Sequence, residues 1–555
     1  MAASPLFTLS VSSGKFGPRT GTLSINRNDG TPAIRTPTPA LLTTTSRGVI
    51  PHLSRDSVRI TDAIQHIHLP FESFLDRNPP VLTLVGGSHP LHQFLGYETN
   101  KHVITLTLRD PSDRRKMPTN GNDFVSAQCT RGVRKVSPSA WKTYVQKCKP
   151  DLVVALSDTP FTPPPHSQKR LTKSIERSIS WLADFLRAPA DHSASRPANV
   201  LVHLVGGAEP HARAEFADRL TEPIEQNAAT GLSPLNMLDD GVAGYVFDLL
   251  HLHTALAAEG GRAIEPTGPV DELLKVSDSQ RSSADSSARL AELLQASLDP
   301  LSTQKPRFVN SPVSPHEILR LVRDVGIDLV DGFWAQRAAD IGVAFDFRFP
   351  VPPEPGTVST DCPPPRTRES GRIDLGHNLF DSRYRHDHSR LSSSFSDGQS
   401  AEQSGQDDLP VCPCGACSPR SPAFHLLHSS VDVQAWQDLQ RPVPSSLLQP
   451  PFVRSYIHHL LHTHEMSSHS LLAMHNLTVL SAFLDGIRGV LARDSPKGEL
   501  DKEIGRFEQM YDEKMVLWDE AATMWLSVEH ARGKGRLARE REKQAVTTVG
   551  AAVET

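Results

Sequence analysis

Short apolar runs alternate with helical patterns along most of this chain, and that rhythm limits its fold more than any other feature. Runs at 81–85, 103–108, 152–156, 200–205 and 244–250 are rich in Val, Leu and Ile and are bounded by Gly, Pro or Asp. Near-continuous apolar runs of this length suit strands covered on both faces, as in a parallel sheet. Helices are expected between them. The clearest spans 167–188, where Leu171, Ile175, Ile179, Leu182 and Leu186 recur at three and four residues and form one stripe. Pro164 and Pro165 precede it and Pro189 ends it. The alternation resumes with strands at 307–310 and 327–333 around a helix at 316–325. Repetition on this scale argues for an α/β fold, with a closed (β/α)8 TIM-like barrel as the leading form. Periodicity alone leaves an open doubly wound sheet in play. Segments 6–10 and 22–25 flank Gly-rich turn residues and read as a hairpin.

The chain has six cysteines, and three of them fall within six residues: Cys412-Pro-Cys414-Gly-Ala-Cys417. That spacing is a poor disulfide framework and a good metal site, in a reducing compartment where thiolates survive. Three thiolates two and three residues apart can curl round one zinc ion, with Pro413 and Gly415 permitting the turns. A closed structural site needs a fourth ligand. His425, His428, His458, His459, His462, His464, His469 and His475 all lie downstream, and residue count does not choose among them. An iron–sulfur cluster would normally take a fourth thiolate.

Composition marks where the alternation is interrupted. In 555 residues, 45 prolines and 38% hydrophobic content suggest a folded core broken by polar inserts. The expected organisation is a barrel over 1–350 with a polar insertion at 256–305, which holds one helix near 288–296. A mostly disordered insertion follows at 351–410, with an ordered island at 373–391. A helical zinc-binding subdomain covers 411–495, with a polar insertion at 418–451. A C-terminal helix and tail occupy 496–555. Helices are expected at 454–462 and 471–491, and one long charged helix at 500–530.

The net charge of −5 excludes a nucleic-acid binder by bulk composition. Any RNA contact must come from a local patch or a partner. The tail 532–543 carries six basic and two acidic residues, which also fits a solvated helix end. No run of about 18 apolar residues suggests a transmembrane helix. The first 28 residues contain no acid, as in a weak mitochondrial presequence, but the hairpin reading is preferred.

The cysteine motif gains meaning from its neighbours. Cys412, Cys414 and Cys417, then Arg454-Ser455-Tyr456-Ile457-His458-His459-Leu460, then Met474-His475-Asn476-Leu477 resemble the C-terminal zinc subdomain of the tRNA-guanine transglycosylase family. The family's order is C-x-C-x2-C, R-x-Y-x-H-H-L and H-N-L. The resemblance implies that His475 is the fourth zinc ligand. Thr38-Pro39-Ala40, Ser46-Arg47-Gly48 and Pro51-His52-Leu53 look like the entry to the family barrel in its eukaryotic accessory form. Asp151-Leu152 with Leu156-Ser157-Asp158 is similar to that form's P-D-x4-L-S-D, and Gly326-Ile327-Asp328-Leu329-Val330-Asp331 to the family's G-[IV]-D-x-[FL]-[DE]. The likeness covers most of 1–350 and 411–495.

Departures from the family pattern bear on activity. The catalytic string D-S-G-G-F-Q is not found. The substrate loop Q-G-G becomes Val205-Gly206-Gly207, and G-Y-A-I-G-G-L becomes Gly244-Tyr245-Val246-Phe247-Asp248-Leu249-Leu250. The P-T-R after the nucleophile becomes Ala335-Gln336-Arg337, and 57 residues separate Cys417 from His475, more than is usual in the family. Asp331 falls at the nucleophile position. Without groups to place a base beside it, it is read as vestigial. The resemblance thus implies a non-catalytic subunit carrying one zinc and pairing with a catalytic queuine tRNA-ribosyltransferase subunit. That heterodimer exchanges guanine for queuine at the wobble position of tRNAs with GUN anticodons (aspartate, asparagine, histidine and tyrosine), giving queuosine. The alternative is a self-sufficient transglycosylase with Asp331 as nucleophile. The expected location is cytoplasmic. The resemblance adds peripheral association with the mitochondrial outer membrane, for which no anchor is visible.

Overall fold

The computed structural model describes residues 5–27, 29–113, 115, 117–160, 164–188, 199–225, 231–259, 284–352, 362–404, 409–421, 447–493 and 498–533. Parts of the expected insertions at 256–305, 351–410 and 418–451, His425, His428 and the basic tail from 534 onward lie outside the described residues.

Strands β1 (Phe7–Ser12), β2 (Arg19–Ile25) and β3 (Ile34–Thr38) form a small antiparallel sheet. Eight parallel strands then close into a barrel: β4 (Ala40–Thr44), β5 (His66–Pro70), β6 (Val103–Thr107), β9 (Leu152–Val154), β10 (Val200–His203), β11 (Gly244–Asp248), β12 (Arg307–Asn310) and β13 (Leu329–Asp331). The pairing β13 with β4 shuts the ring. A hairpin of β7 (Val125–Cys129) and β8 (Gly132–Val136) stands outside it.

The barrel interior is filled by Leu42, Val103, Leu152, Leu201, Val246, Phe308 and Leu329, and Phe7, Leu23 and Ile25 pack onto them. The N-terminal sheet therefore plugs the bottom of the barrel, each such side chain contributing about 1.5–3 kcal/mol by burial. Two buried ion pairs fasten the plug. Arg19 meets Asp328, and the Arg27 guanidinium reaches Asp151 at 2.6 and 2.8 Å. Asp151 and Asp328 begin or precede β9 and β13, so these motif aspartates sit at the stability face of the barrel.

Two expectations are corrected. The run 81–85 is a short 3-10 turn, Val81–Thr83, and not a strand. The strand beside β4 is instead β5, whose His66 and His68 are buried, their Nε2 atoms bonded to the Thr36 and Thr107 hydroxyls at 2.8 and 2.9 Å. Polar residues inside a barrel conceal a strand from an apolar count. The helix at 500–530 is two helices, Glu499–Met510 and Val516–Gly533. It breaks because Ile373 takes both the Met510 carbonyl and the Asp512 amide into bridges, at 2.7 and 2.8 Å.

Residues 362–404, within the stretch read from composition as mostly disordered, are described and packed. β15 (Gly376–Asn378) pairs with β14 (Val343–Phe345). The buried Asp346 carboxylate accepts from Ser392 Oγ at 2.6 Å, the Ser393 and Ser394 amides at 2.7 and 2.9 Å, and His377 Nε2 at 2.9 Å. The carboxylate acts together with a few apolar anchors, Leu375, Leu379, Phe380, Leu391 and Phe395, which are buried in the main core, so low average hydrophobicity misleads there.

Candidate metal centre and barrel mouth

The cysteine motif folds as a tight turn. The Cys417 amide lies 3.3 Å from Cys414 Sγ, and the Ser418 amide donates to the Cys414 carbonyl at 2.8 Å. His475 lies on the helix Ser467–Ala492, more than two turns in. Its Nδ1 is 3.8, 3.8 and 3.3 Å from the sulfurs of Cys412, Cys414 and Cys417. All four ligand atoms lie within 4.8 Å of one another, and all four residues are buried. A tetrahedral ion bonded to sulfur at about 2.3 Å has ligand–ligand edges of about 3.8 Å, so the group fits such an ion. His475 Nε2 donates to the Phe345 carbonyl at 2.8 Å, which leaves the Nδ1 lone pair facing the sulfurs.

The other described histidines nearby are not gathered into this group. His458 Nδ1 donates to the Leu379 carbonyl at 2.8 Å, His462 Nε2 to Phe380 at 3.1 Å and His469 Nδ1 to Ala339 at 3.0 Å. Asn476, next to His475, accepts from the Phe345 amide at 2.9 Å and donates to Val343 at 2.9 Å and Ala335 at 3.2 Å. It fastens the His475 helix to the end of the barrel. Sequence reasoning assigned this residue no role, although its place in H-N-L was a signal. The helix is also long and apolar enough to span a membrane, but 67% of that window is buried here.

Exposed apolar side chains surround the metal loop. Val411 is 42% exposed, Tyr456 45% and Ile60 58%. Phe452 stacks on Tyr456 and donates its amide to the Ala416 carbonyl at 2.9 Å. A groove of about 890 Å³ runs alongside, lined by Ala40, His66, Val411, Pro413, Ala482 and Arg488 among others.

At the C-terminal mouth of the barrel, Asp331 is fully buried at the end of β13. Its carboxylate accepts from the Ser311 amide at 2.7 Å and the Phe333 amide at 3.3 Å. Burial pushes its pKa up to about 7 against those two bonds, with the nearby Asp110 and Asp248 carboxylates adding to the rise. Although burial disfavours its charge, His203 and Asn310 hold Asp248 well below the usual carboxylate range, at 3.1 and 2.7 Å. Asp158 is buried and spent on Arg170 at 2.8 and 2.9 Å and Arg177 at 3.0 Å.

Asp110, Asp248, Arg109 and His203, none singled out as site residues from the sequence, line a mouth cavity of only about 60 Å³. A neighbouring cavity of about 180 Å³ is lined by Leu171, Val205, Gly206, Gly207, Leu252 and Ala255 among others. Both fall below the roughly 300 Å³ at which ligand sites begin.

A family model described as Queuine tRNA-ribosyltransferase matches residues 15–241 and 445–507. The chain is 24% identical to the Queuine tRNA-ribosyltransferase accessory subunit 2 of Schizosaccharomyces pombe, over 85% of this chain and 78% of that protein. It is 24% identical to the protein of that name from Ixodes scapularis, over 83% and 91%. For the Xenopus tropicalis protein of that name the identity is 22%, over 87% and 95%.

Proposed function

This chain belongs to the queuine tRNA-ribosyltransferase family, and from that premise we propose that it is the non-catalytic subunit of the tRNA base-exchange enzyme. It pairs with a catalytic subunit to replace guanine by queuine at the wobble position of GUN-anticodon tRNAs. The observation that carries this reading is that Asp331 is fully buried and does not line the mouth cavity of about 60 Å³. A nucleophile must reach an anomeric carbon at about 3–3.5 Å, and this carboxylate is instead shut away against the Ser311 and Phe333 amides.

The metal is zinc, held by Cys412, Cys414, Cys417 and His475. Three thiols and one imidazole in a closed set match a structural zinc site with no position left for substrate. The ion's part is to hold the metal loop against the His475 helix. The exposed Val411, Tyr456 and Ile60 beside it support a partner interface here. The proposed setting is the reducing cytoplasm, in keeping with six free, buried cysteines. Peripheral contact with the mitochondrial outer membrane is the second proposed location.

The test is guanine or queuine incorporation into tRNA by the purified chain alone and mixed with the catalytic subunit. The reading expects an inert chain that restores activity in the mixture. Turnover by the chain alone contradicts it. Elemental analysis should give one zinc per chain.

A further inference from the structure

The β7–β8 hairpin sits beside the barrel mouth because one buried carboxylate holds both. Glu72 accepts from the Asp110 amide and the Gln128 amide, each at 2.8 Å. Strand β7 is largely buried, whereas β8 is an exposed edge carrying Arg134 and Lys135, with Arg131 at the turn. The Lys135 ammonium rides 4.4 Å over the Phe124 ring.

A second basic row faces the same loop. On the helix Gln168–Leu186, Lys169, Lys173 and Arg177 are four residues apart and share a face. Arg177 Nε donates to Asn122 Oδ1 at 3.0 Å, just ahead of β7, and Trp181 Nε1 to the Asn122 carbonyl at 2.7 Å. Arg170 and Arg177 share the single negative charge of Asp158. That leaves five exposed cations, Arg131, Arg134, Lys135, Lys169 and Lys173, against two exposed acids, Asp123 and Glu176, in 122–136 and 168–178. In a chain of net charge −5, this local reversal of sign is the surface on which a polyanion is favoured.

We propose that this basic rim, made of the β7–β8 edge and the first turns of the helix Gln168–Leu186, binds the phosphate backbone of tRNA within the complex. The inference rests on the functional reading above and adds to it which face meets the RNA. Charge on β8 also discourages edge-to-edge pairing, but that role gives no salt-dependent RNA affinity.

The test uses the full chain reconstituted with its catalytic subunit, titrated with tRNA at several salt concentrations. Two variants are compared with wild type: Arg131→Ala/Arg134→Ala/Lys135→Ala, and Lys169→Ala/Lys173→Ala, the second lying on no strand edge. Each lost phosphate contact should flatten the log Kd against log salt slope by about one, and the triple variant should bind about tenfold more weakly. Subunit pairing and melting temperature should hold. Unchanged slopes in both variants overturn the proposal. So does lost subunit pairing with an unchanged RNA slope, which makes the rim a protein surface. A wild-type complex that binds no tRNA defeats the functional reading itself.

Discussion

At the metal centre every side chain is matched: three sulfurs face one imidazole, the far ring nitrogen is bonded, and Asn476 joins three backbone groups. At the barrel mouth the matching is incomplete. Among the described residues His203 Nδ1 and Asn310 Oδ1 are buried without a hydrogen-bond partner, and the Asp331 pKa is pushed up to about 7. The two regions share one fold and differ in what maintains them. A structural ion site must stay whole for the subdomain to fold. A reaction site freed from its chemistry can fill with side chains such as Val246 and Asp248 and leave stray polar atoms, so long as the barrel still packs.

If the comparison is right, the metal centre answers substitution most severely. Cys414→Ser should remove the proposed zinc and destabilise the C-terminal subdomain by several kcal/mol, as losing a structural ion does. Elemental analysis and thermal melting check this, and an unaltered melt would break the comparison at its stronger end. Asn476→Ala is expected to cost about 2–4 kcal/mol, because two carbonyls and one amide are left unpaired in the interior. Urea denaturation measures it. A cost below about 0.5 kcal/mol, typical of surface positions, counts against the helix-fastening role.

The mouth should respond through pH. The Asp331 carboxyl is raised to about 7 in the folded chain, from about 3.9 when unfolded. Between those values the folded state keeps a proton that the unfolded chain releases. The burial cost is absent below pH of about 4, grows as pH rises, and is complete above pH of about 7. The stability of Asp331→Ala relative to wild type should therefore rise by a few kcal/mol between pH 4 and pH 8, gaining about 1.4 kcal/mol for each pH step between the two pKa values. A difference that stays flat with pH means that the carboxyl is not held as described.

How far the sequence could be read follows the same division. The apolar strands β6, β9 to β13 and the cysteine turn were visible because burial and thiol spacing leave marks in composition. β5 was not, because its buried histidines look like surface residues. In 362–404 only the island at 373–391 was read as ordered, because the order of the flanking residues depends on Asp346 finding serines far along the chain. The choice of His475 over seven other histidines came from resemblance, and only the fold brings its ring to the sulfurs. Asp331 could be placed from its motif. Its sealing by Ser311 and Phe333, and the neighbouring Asp110 and Asp248, required three dimensions.

The central claim is that the mouth of this barrel does no chemistry, and one assay meets it directly. The chain carrying Asp331→Ala is combined with the catalytic subunit, and guanine exchange into tRNA is followed at saturating tRNA. The account predicts a rate within about twofold of the wild-type complex, a difference of only about 0.4 kcal/mol in the barrier. A loss of about a hundredfold or more, with subunit pairing and melting intact, would contradict it and make Asp331 a working nucleophile.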